Sequence, residues 1–121
     1  MKTCDIINLD YGVKENREII QKALKRIKPF SNYENEVEMS KIEKFIGVAI
    51  KKYDLFVKDI SFTGIVTEDN KYLYSLHLLR ESDISYFETI YGYELYELIA
   101  KAAIYVYTLI KQEKVRKRDE V

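Results

Sequence analysis

The chain has one cysteine, one histidine, one proline, four glycines and no tryptophan in 121 residues, and its 20 basic and 20 acidic side chains cancel. Each shortage excludes something. A lone Cys4 closes no internal disulfide, so a reducing compartment, the cytoplasm, is the expected location. Cys4 and His77 together fall short of the three or four ligands of a zinc site, and no metal or other cofactor is expected. Gly12, Gly47, Gly64 and Gly92 are scattered, and none belongs to a phosphate-cradling loop. The absence of net positive charge disfavours a general nucleic-acid binder. One proline leaves little room for long disordered linkers. The most apolar run, 95–110, contains Glu97 and Lys101, whereas a membrane span needs about 20 apolar residues. No basic-then-apolar segment resembles a signal peptide. The expectation is one intracellular domain, residues 1–121, without a membrane partner.

What the chain has in quantity is tyrosine, eleven in all. Many fall in the last third, 83–114, where Ile84, Phe87, Tyr91, Leu95, Leu98, Ile99, Ala102, Val106, Leu109 and Ile110 recur at helical spacing. As a helix the stripe from Ile84 to Ile110 would measure about 40 Å and form the spine of the domain. Tyr86, Tyr93, Tyr96, Tyr105 and Tyr107 occupy much of its remaining circumference, and Glu97 and Lys101 form a favourable i,i+4 pair on a narrow strip expected to meet water. The rest of the chain looks too small to wrap both sides. Those five tyrosines are therefore the expected contact surface, facing a second copy of the chain or another protein. Abundant Lys, Ile, Tyr, Glu and Asn also suggest an AT-rich coding sequence, that of a low-GC bacterium or one of its mobile elements.

Upstream, residues 3–9 suit either a short strand or a loosely tied terminus. Ile19, Ile20, Ala23, Leu24 and Ile27 predict an amphipathic helix over 14–28, stopped by Pro29. After a polar connection, Ser40 and Glu43 suggest a capping box for a second helix to about Tyr53. It would bury Ile42, Phe45, Ile46, Ala49 and Ile50, with Gly47 and Ala49 permitting a close crossing.

Segments 56–66 and 72–79 alternate about a turn at 67–71 and predict a hairpin. Pairing Val66 with Tyr72 and Phe62 with Leu76 puts Phe56, Ile60, Phe62, Val66, Tyr72, Tyr74, Leu76 and Leu78 on one face. Two strands make a marginal sheet, so a third is expected from residues 3–9, a symmetry mate or a partner. Asp83 would cap the spine helix. The tail 114–121 is basic and expected to fray, as is the stretch 1–5. The resulting fold class is α+β: two N-terminal helices, a short antiparallel hairpin sheet and a long C-terminal helix packed on one sheet face.

Few residues suggest catalysis. His77 falls opposite Ser61 in that register, with Asp59 and Ser75 on the same face, which could orient an imidazole as a base or hold a small ligand. No nucleophile or pocket motif accompanies it, and Cys4 has no evident orienting partner. Glu34, Glu36 and Glu38 read as solvated loop carboxylates. A non-enzymatic interaction protein, homodimeric through the C-terminal helix, is the expected function. The order helix, helix, hairpin, long helix is also similar to that of dimeric winged-helix regulators, which implies DNA contact through Lys41, Lys44, Lys51 and Lys52 of the second helix. Against this stand the long 29–39 connection, the acidic turn 67–71 and the zero net charge. The layout further resembles small phage-encoded α/β proteins, which implies an accessory protein that binds a host or defence component.

Overall fold

The computed structural model describes residues 3–53, 55–80 and 87–119. The N-terminal segment is a helix, α1 (Thr3–Ile7), rather than a strand or a loose end, and its Ile6 and Ile7 are buried. Helix α2 (Lys14–Leu24) buries Ile20, Ala23 and Leu24. It stops a turn before Pro29, earlier than expected. A proline there would clash with the carbonyl four residues back and leave it without a donor. The backbone instead tightens, with the Arg26 and Ile27 N–H groups donating to Ala23 and Leu24, and Pro29 enters a 3-10 turn, Lys28–Phe30.

Helix α3 (Met39–Tyr53) begins two residues earlier than a Ser40 cap would set it. The Glu38 carbonyl accepts from the Lys41 and Ile42 N–H groups, so Ser40 lies inside the first turn and does not cap. Ile42, Ile46 and Ala49 are buried. Gly47 is exposed, with open space where a Cβ would stand, so no close helix crossing depends on it.

Strands β1 (Leu55–Val66), β2 (Tyr72–Arg80) and β3 (Phe87–Gly92) form an antiparallel sheet in that order. The hairpin stands where the alternation placed it, but its register differs. Val66 pairs with Tyr72, whereas Phe62 pairs with Tyr74, not Leu76. Three residues of β1 oppose one of β2 here, and Gly64 at φ +91° provides the left-handed backbone that this bulge requires. A second irregularity at Lys58 sets Val57 opposite Leu78 and Phe56 opposite Leu79, exchanging the faces expected of those two β1 residues.

The third strand comes from the front of the expected spine helix. Residues 87–92 pair with β2, Leu76 opposite Ile90 and Tyr74 opposite Gly92, and Ile90 is buried. The long helix, α4 (Leu95–Asp119), therefore starts twelve residues later than Asp83 and continues beyond Lys114 into the basic tail. Asp83, expected to cap that helix, and Tyr86, expected on the contact surface, lie outside the described residues. At 1.5 Å per residue α4 is about 38 Å long.

Helices α1, α2 and α3 and strand β3 all pack on α4. Leu98, Ala100, Ala102, Ala103, Ile104, Val106 and Ile110 are buried, a set that extends around the helix. The cover expected from a second subunit is thus largely supplied within the chain. Glu97 and Lys101 do not face water; both are 2 % exposed. They are joined at 2.8 Å, and the Lys101 ammonium also donates to the Tyr91 carbonyl at 2.9 Å. The Glu97 carboxylate accepts the backbone N–H groups of Tyr11 at 3.0 Å and Tyr93 at 2.7 Å. An i,i+4 pair read as a surface bridge is the buried joint between the N-terminal loop, the end of β3 and the start of α4.

Candidate interaction surface

The helices cover Leu76, Leu78 and Ile90 but leave the β1 side and the turn end of that sheet face open. Val57, Ile60, Phe62, Val66, Tyr72 and Tyr74 share the face through the pairings given above, and all are exposed, from 36 % for Val57 and Tyr74 to 50 % for Tyr72. The Phe62 ring sits 5.6 Å from Tyr72 and 5.9 Å from Tyr74, edge-on or tilted, the geometry favoured by aromatic quadrupoles. These rings therefore form a small ordered cluster at the hairpin's far end.

The turn beside the cluster is well tied. The Thr67 N–H donates to Lys71, the Asn70 N–H to Thr67, and the Lys71 N–H to the Thr67 hydroxyl. Asn70 takes φ +61°, which asparagine tolerates. The Thr67 hydroxyl also donates to Asp69 and is the main reason that this carboxyl is held below its usual range. Strand β1, twelve residues long, has β2 as its only sheet partner among the described residues. An open apolar face beside an edge that no described strand pairs is the type of surface that binds protein.

The opposite sheet face carries Asp59, Ser61 and His77. His77 lies across from Asp59, not Ser61, because of the altered register, and its Nδ1 pairs with the Asp59 carboxylate. Ser61 and Ser75 hydroxyls meet at 3.3 Å one pair along. The carboxylate orients the imidazole as expected of an acid–base pair. However, these groups line neither of the two clefts described below.

The spine tyrosines are largely engaged within the chain. The Tyr96 hydroxyl donates to the Val37 carbonyl at 2.6 Å and accepts from Gln21 Nε2 at 2.8 Å. Gln21 also donates to the Tyr11 hydroxyl, which donates to Glu36, while its Oε1 accepts the Val37 N–H. Burial pushes both phenols up, Tyr96 to about 12, and the Glu36 carboxylate reinforces the effect. Tyr105 and Tyr107 pack half-buried against the core, and the Tyr107 hydroxyl reaches the Arg26 carbonyl at 3.4 Å. Tyr93 is half-buried and lines a cleft of about 290 Å³, where Asp10, Tyr11 and Gly12 meet the hairpin turn and Glu97.

The four lysines of α3 separate. Lys41 and Lys44 line a second cleft, of about 360 Å³, with Pro29, Phe30, Tyr33, Phe45 and Val48. Lys51 and Lys52 lie exposed in the last turn. Helices α2 and α3 pack chiefly on α4 rather than on one another, unlike the paired helices of a helix-turn-helix.

Phe62, Tyr72 and Tyr74 were legible as one face but not as an exposed one. Their alternation is what a buried face also produces, and no signal in the sequence separates the two. No protein-family profile, curated protein or solved structure matches the chain.

Proposed function

We propose that the chain is a non-enzymatic protein-interaction module that docks through the open hairpin face, and that its first partner is a second copy of itself. The observation that carries this is the contiguous exposed set Val57, Ile60, Phe62, Val66, Tyr72 and Tyr74. With about 200 Å² per aromatic side chain and somewhat less per aliphatic one, two such patches face to face remove roughly 1,000 Å² from water, the lower bound for a specific interface. A two-fold axis through the cluster makes the patch its own complement. In an AT-rich bacterial or mobile-element setting, the same face would serve to occupy a host or defence component.

Size-exclusion chromatography with light scattering, across a concentration series, tests the reading. The expected result is a dimer that dissociates on dilution, and a folded monomer for Phe62→Ser/Tyr74→Ser. A monomer at every concentration would sink self-association. A dimer unchanged by the double substitution would move the interface elsewhere, with the surface of α4 next in line.

A further inference from the structure

The cleft between the 3-10 turn and α3 has no part in hairpin docking. Its floor is aromatic and fixed: Phe30, 2 % exposed, meets Tyr33 at 6.4 Å and Phe45 at 5.8 Å, both edge to face. Edge-to-face packing leaves ring faces and edges available to a further planar group. Its rim is cationic. Lys41 and Lys44 stand three residues apart on one side of α3, exposed, and neither ammonium forms an ion pair with a described residue. Lys41 also sits in the first turn of α3, where the helix dipole adds positive potential. The volume, about 360 Å³, lies at the small end of ligand-binding clefts.

An apolar floor and two unpaired cations make complementary demands, a flat apolar body and a negative end. We infer that this cleft binds small aromatic carboxylates, with the ring against Tyr33 and Phe45 above the Phe30 floor and the carboxylate between Lys41 and Lys44. A carboxylate is a better match than a phosphate ester. Phosphate sites use an arginine fork or several converging backbone N–H groups, and the cleft is lined by neither an arginine nor a glycine-rich loop.

The test is an amide-resolved NMR titration of the full chain with naphthalene-2-carboxylate, beside its neutral counterpart naphthalen-2-ylmethanol. The acid should shift amides in 30–33 and 41–48 saturably, and bind at least about tenfold more tightly than the alcohol. Lys41→Glu/Lys44→Glu should reduce affinity for the acid by a similar factor while leaving the melting temperature near that of the parent, since both side chains are exposed. Val48→Glu, at a position 62 % exposed, places a carboxylate at the mouth and should have the same effect. Phe62→Ser/Tyr74→Ser should bind like the parent. Equal affinity for acid and alcohol, undiminished binding by the charge-reversed chain, or shifts confined to the hairpin would each overturn the inference.

Discussion

Glu97 is the residue on which the most structure converges. Its two carboxylate oxygens serve Lys101 and the backbone N–H groups of Tyr11 and Tyr93, three partners from three parts of the chain. Gly92 belongs to the same joint: a Cβ there would stand 2.9 Å from the Glu97 side chain, so the close approach excludes larger residues. Glu97→Ala leaves a buried ammonium and two backbone donors without their acceptor, and is expected to cost about 3–5 kcal/mol. Replacing a whole buried ion pair by apolar groups is often tolerated. Glu97→Leu/Lys101→Met should nevertheless remain well below the parent in stability, because the Tyr11 and Tyr93 donors remain orphaned. Urea denaturation of the parent and both variants decides this. A double variant as stable as the parent would show that the carboxylate's backbone contacts contribute little.

Between elements, the Gln21, Tyr11, Tyr96 and Glu36 network ties α2 and the 31–38 loop to α4, and it makes stability depend on alkaline pH. An unfolded tyrosine loses its proton near pH 10, while folded Tyr96 keeps its own to about 12. Between those values the unfolded chain binds fewer protons, so stability falls as pH rises; below pH 10 the contribution is complete. Discounted for the partial exposure of Tyr96, the loss attributable to it is on the order of 1–2 kcal/mol. Urea midpoints at stepped alkaline pH should fall less steeply for Tyr96→Phe than for the parent, and parallel curves would refute the assignment. None of this network was readable in advance, since Gln21, Glu36 and Tyr96 are separated by long stretches of chain. What was readable followed from local pattern: the two helices, the hairpin and its turn, and a long C-terminal helix. The largest error has a physical cause. Ile84, Phe87, Tyr91 and Leu95 fit a helical stripe, while Phe87, Thr89, Ile90 and Tyr91 are also residues that favour strands. Pairing with β2 settles the choice, and Gly92 marks the break.

At the scale of the whole molecule, α4 and the hairpin exchange the roles that their composition suggested. The tyrosine-rich helix looks like an interface, yet three helices and β3 pack on it. The hairpin looks like half of a core, yet its distal aromatic face remains open because those helices gather chiefly on α4. Burial depends on what the rest of the chain can reach, which no periodicity encodes. The consequence is measurable in stability itself. If the open face is covered by a second copy, folding is linked to association, and the melting temperature of the parent should rise over about a hundredfold increase in protein concentration. Phe62→Ser/Tyr74→Ser removes side chains already half in water, so at low concentration it should melt close to the parent, and its melting temperature should not vary with concentration. A parent whose melting temperature is equally flat would leave the hairpin without a second copy. A variant that melts far lower even when dilute would show that the cluster supports its own fold, and that its exposure is not a docking surface.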